Sequence, residues 1–260
     1  MLNSLDAHRR RRILSLTAVP VVVGGLAILF APASSAAEPS RTGPFCKAAA
    51  TAVAAPIPDT PDDTSKYTAA DKAAQKAYAK ILLGAIDTML KDAPTEVRVD
   101  LQAQRKVGVG VAASGVPGED ARPGLGTGAK LLSVVAKNCA STSVALTASD
   151  FKFAGMPATV KSGVTAITMK NASKVEMHHL VMFRKANGVT ESAKALLDAE
   201  DQKKAVFAGF VEDVQPGKTG VAIVNLTPGN YFLSCFLPTG GKETGMPHFK
   251  SGMFVEFVVK

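Results

Sequence analysis

Apolar residues return every three to four positions from Thr68 to about Asn138, and every second position from Ser141 to the end of the chain. The first rhythm puts side chains on one face of an α-helix; the second puts them on one face of a β-strand. The chain therefore divides near residue 140 into a small helical unit and an all-β unit.

In the helical unit, Thr68 and Asp71 have the spacing of a capping box, a hydroxyl at the N-cap and a carboxylate three residues on. Ala74, Tyr78, Ile81, Leu82, Ala85 and Met89 then follow as one apolar face, and Pro94 stops the helix. A second helix is expected from about Thr95 to Ala113 and a third from about Ala129 to Asn138, with a Gly/Pro-rich loop between Gly115 and Gly128. In the β unit, strands are expected over 143–148, 159–160, 165–169, 179–183, 220–226, 231–235 and 254–259. Gly163, Asn171, the Pro216-Gly217 pair and the Pro228-Gly229 pair supply turns. One helix, Glu191 to Val206, is expected among the strands. Short strands at near-regular spacing predict an antiparallel Greek-key sandwich over 141–260.

The first residues lie outside both patterns. Arg9 to Arg12 form a basic cluster, Ile13 to Phe30 is an uncharged, mostly apolar run, and Ala31 to Ala37 is rich in small residues. That order reads as a secretory signal peptide, residues 1–37, with the paired arginines also compatible with twin-arginine export. An uncleaved anchor is the alternative; Pro20, Gly24, Gly25 and the small-residue tail favour cleavage, which leaves no stable membrane span. Residues 38–67, with Pro56, Pro58 and Pro61, read as a flexible linker. Four arginines and Asp6 leave with the signal, taking the formal charge from +8 to +5. No basic run with interleaved aromatics remains, so nucleic acid is not expected as a partner.

Three cysteines remain in a chain expected to be secreted, outside the cytoplasm or in the cell envelope. Cys46 and Cys139 lie at the two edges of a thin, Ala-rich helical unit of the kind that needs a staple, and a disulfide between them is expected. Its closed loop is worth roughly 4–5 kcal/mol in the chain-entropy model. The unit has no histidine and only scattered carboxylates, so it is not expected to be catalytic.

Cys235 is left over. Alternation puts Tyr231, Leu233 and Cys235 on one strand face, and His248, Gly252 and Met253 follow before the last strand. Earlier, the segment from Asn171 to Leu180 carries His178 and His179 at a strand mouth. Here the chain resembles the cupredoxin family, plastocyanin-like blue copper proteins in particular. The family's Gly-x-Tyr-x-x-x-Cys strand, later His and Gly-Met pair are matched by Gly229, Tyr231, Cys235, His248, Gly252 and Met253. The family's first histidine follows an Asn-containing turn. His178 fits it, with His179 in the polar position that comes next; in the other register His179 points inward with Val181 and Phe183. The resemblance covers only the last 115 residues or so and implies one copper ion per chain, bound by His178, Cys235, His248 and Met253. A thiolate, two imidazoles and a weak thioether suit both Cu(I) and Cu(II). The implied activity is one-electron transfer, with a redox protein docking near an exposed histidine edge. This sequence departs from the family pattern in one place. The family usually has only a few residues between the cysteine and the second histidine, whereas twelve lie between Cys235 and His248. The extra loop, Pro238 to Pro247, opens a route for water and offers Met246 as a second thioether.

The chain has four histidines, of which His8 leaves with the signal. A mononuclear site uses two of the other three, which leaves too few for a second, catalytic copper centre, and no Ser-His-Asp motif is present, so an enzyme is not expected. A metal-free secreted interaction module and a copper chaperone or scavenger are the alternative functions.

Overall fold

A computed structural model describes residues 39–61, 63–118, 129–199, 203–242 and 244–260. The expected signal segment lies outside the described residues. Helix α1, Pro44–Ala54, occupies part of the stretch read as a flexible linker. Its proline is tolerated because the first helical N–H needs no partner within the helix, and Phe45, Cys46, Ala49 and Ala52 are buried. The three prolines that argued against a helix all come after it. Helix α2, Ala69–Asp92, starts at the expected capping box: Thr68 Oγ1 accepts from Asp71 N–H at 3.2 Å, and Asp71 Oδ2 from Thr68 N–H at 2.8 Å. Its buried face is rotated slightly from the expected one. Ala74 and Ile81 face solvent, Ile81 being 40% exposed, while Gln75, Ala79 and Ile86 turn inward. Gln75 is kept satisfied by donating to Thr60 Oγ1 at 2.9 Å.

Helices α3, Thr95–Ser114, and α4, Ala129–Cys139, complete the unit, and a disulfide joins Cys46 on α1 to Cys139 on α4. Phe45, Leu82, Met89, Leu101, Leu131 and Val135 form its core. Ile223, from the β unit, packs against that core, so the helices lie on the sandwich and do not hang from it by a linker.

Among the described residues nine strands form the β unit: β1 Thr142–Ser149, β2 Lys152–Ala154, β3 Thr159–Val160, β4 Gly163–Asn171, β5 His178–Lys185, β6 Ala205–Val214, β7 Thr219–Leu226, β8 Gly229–Ser234 and β9 Phe254–Val259. They make two sheets, ordered β2-β1-β4-β7 and β3-β9-β8-β5-β6. The expected sandwich is present, but it is not purely antiparallel, because β1 runs parallel to β4 and β3 parallel to β9. Val144, Leu146, Ile167, Met169, Leu180, Met182, Val211, Leu233 and Phe257 fill the space between the sheets. β6 is missing from the expected strands, and part of it was expected to be helix. Among the described residues the helix among the strands, α5, is Ala193–Ala199, and Ala205 and Val206 belong to β6. Gly209 of β6 sits at φ 146°, and a Cβ there would stand 2.5 Å from Val224 of β7, so the two sheets close tightly at this edge.

α5 covers the outer face of the second sheet. Val181, Phe232, Phe236 and Phe249 pack beneath Ala193, Leu196 and Leu197. β5 is consequently buried on both sides: His178, Leu180 and Met182 face the inter-sheet core, and Val181 faces α5. Among the described residues, no helix is long and apolar enough to cross a membrane.

Candidate metal centre

The turn before β5 is built by Asn171. Its Nδ2 donates to the carbonyls of Glu176 and Val214, both at 2.8 Å, and its Oδ1 accepts from Ser173 N–H at 2.9 Å. Ser173 Oγ in turn accepts from Glu176 N–H at 2.8 Å. This is the local hydrogen bonding that Asn and Ser offer a turn, and it delivers His178 to the mouth of the sandwich.

Cys235 comes immediately after β8, continuing the inward alternation of Tyr231 and Leu233. Its N–H donates to Met253 O at 3.2 Å, and its carbonyl accepts from Phe249 N–H at 2.9 Å. His248 opens a short 3₁₀ turn, His248–Ser251, which Gly252 ends at φ 97°, a value that favours glycine. Met253 then returns its N–H to His248 O at 3.2 Å and is fully buried. The twelve-residue loop does not separate the two ends of this segment, because it is pinched at its neck. His248 N–H donates to Leu237 O at 3.0 Å, Pro238 pairs with Pro247, and Thr239 N–H donates to Met246 O at 3.0 Å. Met246 projects outward, 54% exposed, and so does not supply the second thioether that the sequence suggested.

His178, Cys235 and His248 are each 0% exposed, and their ligand atoms lie within 4.8 Å of one another. Nδ1 of His178 is 3.2 Å from Nδ1 of His248, which is 3.4 Å from Cys235 Sγ. His179 faces away from this point. It accepts from Phe236 N–H through Nε2 at 2.8 Å, and its Nδ1 is 3.3 Å from Asp213 Oδ1, so it ties β5 to the backbone beside Cys235.

The electrostatics favour neutral donors. Burial first, and then the neighbouring His248, lowers the His178 pKa to about 4, against the pull of Asp150 and Glu176. Burial also lowers that of His248, opposed by Glu176. Burial pushes the Cys235 thiol up to about 12. The outer Nε2 atoms have carboxylates near but no full hydrogen bond: Asp150 Oδ1 at 3.9 Å from His178, and Glu176 Oε2 at 3.5 Å from His248. Each neutral ring carries one proton, and its tautomer decides whether Nδ1 donates or accepts at this point. Two ring nitrogens and a sulfur thus converge on one buried point, an arrangement of atoms able to hold a cation. The donor set, two imidazoles and a thiol with a buried thioether next in the backbone network, suits copper.

Sequence reasoning did not single out Asp150, Phe151, Glu176 or Asp213. Phe151 lies edge-on to the His248 ring, centroids 4.9 Å apart. With the loop and Glu176 it hides His248, so the expected exposed histidine edge is absent.

No protein-family model matches the chain, and no curated protein matches it in sequence. Solved structures similar to its C-terminal half include auracyanins, rusticyanins, multicopper oxidases and a copper-containing nitrite reductase. Dithionite-reduced auracyanin from the photosynthetic bacterium Roseiflexus castenholzii is 17% identical over 46% of this chain and 98% of that one, with a TM-score of 0.32. Auracyanin A of Chloroflexus aurantiacus, a "blue" copper protein, is 15% identical over 45% and 99%, with a TM-score of 0.29. A copper-containing nitrite reductase from Thermus scotoductus is 14% identical over 48% of this chain and 32% of its own, with a TM-score of 0.27.

Proposed function

We propose that this chain is an extracytoplasmic protein that holds one copper ion per chain and serves as a one-electron carrier. The supporting observation is the convergence of His178 Nδ1, His248 Nδ1 and Cys235 Sγ at one buried point. A copper ion there would supply the redox chemistry, cycling between Cu(I) and Cu(II). The chain's part is to present a soft and a borderline set of donors together, with Met253 as the weak fourth.

Rigidity supports carriage. The backbone bonds among Cys235, His248, Phe249 and Met253 fix three of the four donors in one network, and the Asn171 turn fixes the fourth. A site held this way changes little between oxidation states, and its apolar surroundings set the potential. Burial of the donors disfavours a role in handing copper on, since no ligand edge is open to a recipient. Outside residues 1–37 there is one further histidine, His179, and it is engaged with Phe236 and Asp213. That argues against a second, catalytic copper centre within this chain. The Cys46–Cys139 disulfide fits an oxidising compartment. With His248 covered, a redox partner would meet the loop above it, not an imidazole edge.

The test is a visible absorption titration of the purified protein with Cu(II), beside a Cys235→Ser control. An intense thiolate-to-copper band saturating at one copper per chain and missing from the control is expected. No band and no retained copper would reject the reading in favour of a metal-free module; tight binding of colourless Zn(II) alone would reject it in favour of a structural metal site.

A further inference from the structure

The inserted loop reaches the centre through one side chain. Glu176 is two residues ahead of His178 and only 8% exposed. Both of its carboxylate oxygens stand 3.0 Å from Gly240 N–H, at the tip of the loop between Cys235 and His248. Its Oε2 is also 3.5 Å from Nε2 of His248. A carboxylate withdrawn from water to this degree needs partners; among the described residues Gly240 N–H donates to it, and His248 Nε2 stands near without a hydrogen bond of its own.

A neutral imidazole carries a single proton, and its surroundings decide which nitrogen holds it. With the proton on Nδ1, His248 would aim an Nε2 lone pair at the Glu176 carboxylate. It would also hydrogen-bond to His178 Nδ1, 3.2 Å away, and so occupy the lone pairs a metal would need. With the proton on Nε2, the N–H faces the carboxylate and the Nδ1 lone pair faces the other donors. Asp150 stands in the corresponding place beside His178, but at 3.9 Å and with its side chain 54% exposed, where water screens it. Glu176 is the nearer and drier of the two.

We propose that Glu176, clamped by Gly240 N–H, is a positioning residue that sets the Nε2–H tautomer of His248 and so turns its Nδ1 lone pair toward the metal-binding point. The twelve-residue loop is then part of the centre's outer structure. The metal-binding half of this statement rests on the copper reading above; the tautomer half does not.

The experiment uses the full chain, metal-free and ¹⁵N-labelled at histidine, with long-range ¹H–¹⁵N correlation spectra at neutral pH to locate the ring proton. Wild type is expected to show His248 as Nε2–H. Glu176→Ala should shift it to a mixture or to Nδ1–H, and Glu176→Gln, whose amide oxygen still accepts, should restore it. Copper affinity, measured by competition with a chelator, should fall about 10–100-fold in Glu176→Ala and recover to within a few-fold in Glu176→Gln. An Nδ1–H proton in wild type overturns the proposal whether or not the alanine variant folds. An unchanged tautomer and unchanged copper affinity in Glu176→Ala overturn it too, while leaving the copper reading intact. A Glu176-dependent tautomer in a protein that retains no copper upholds the positioning role and rejects the copper reading.

Discussion

Nδ1 of His178 and Nδ1 of His248 stand 3.2 Å apart, although 70 residues separate them in the chain. Neither ring touches solvent, and the two inner nitrogens lie within hydrogen-bond distance of each other, while the outer Nε2 atoms have carboxylates near but no hydrogen-bond partner.

The metal-free protein should lose stability in mild acid. The pKa of His178 is about 4 when folded and 6.5 when free, so the unfolded chain takes up the proton first. Stability is therefore fully present above pH 6.5 and is lost as the pH falls from there toward 4, by up to about 3 kcal/mol. His248 acts in the same direction. Urea midpoints of the metal-free protein at pH 7.5, 6 and 5 would show the decline; a flat series would contradict it.

Cys235 should be inert in the native, metal-free state. Its thiol is fully buried, with a pKa pushed up to about 12, and the thiolate is the reactive form. Iodoacetamide at neutral pH should leave the native chain unlabelled over hours and add one group per chain in guanidinium without reductant. Rapid native labelling, or three groups without reductant, would refute the burial or the disulfide respectively.

Phe151 adopts φ 61°, a left-handed conformation that costs a bulky residue roughly 1–2 kcal/mol. It sits in the tight turn between β1 and β2, against the His248 ring. Phe151→Ala and Phe151→Gly both lose the ring, so each should destabilise the fold by about 2 kcal/mol before the backbone is considered. Glycine relieves the backbone and alanine does not, so Phe151→Gly should be the more stable of the two by about 1 kcal/mol. Chemical denaturation of the pair isolates that difference, and the reverse order would argue against the left-handed turn.

The disulfide spans a sequence separation of 93. Replacing both Cys46 and Cys139 by alanine should lower stability by roughly 4–5 kcal/mol if unfolded-chain entropy dominates. Urea unfolding of the double variant beside the oxidised wild type measures it; a change under ~1 kcal/mol would mean that contact with Ile223 and the sandwich holds the helices without the bond.

Elements whose partners lie close in sequence were the legible ones. The Thr68–Asp71 box opens α2 as its spacing implied, and the alternation through Tyr231, Leu233 and Cys235 survives as an inward face. The errors fall where a distant segment decides. An alanine-rich run between Pro44 and Ala54 becomes a helix because its apolar face packs on α2 and α4. Ala205 and Val206 leave the helical pattern because Ala205–Val214 pairs with β5.

By itself the sequence determined a helical unit before a β-sandwich, one cysteine left unpaired in the sandwich, and two histidine-bearing segments near strand ends. Periodicity and residue chemistry are local properties, and they are readable from neighbours. Only the tertiary structure decided that β1 and β4 run parallel, that the long loop closes at its neck between Pro238 and Pro247, and that Met246 points outward. It also decided that Glu176 and Phe151 cover His248. Apart from the loop neck, these contacts join residues tens of positions apart, and the side chains that make them carry no mark in sequence: a glutamate in a turn looks solvated until the loop that desolvates it folds over.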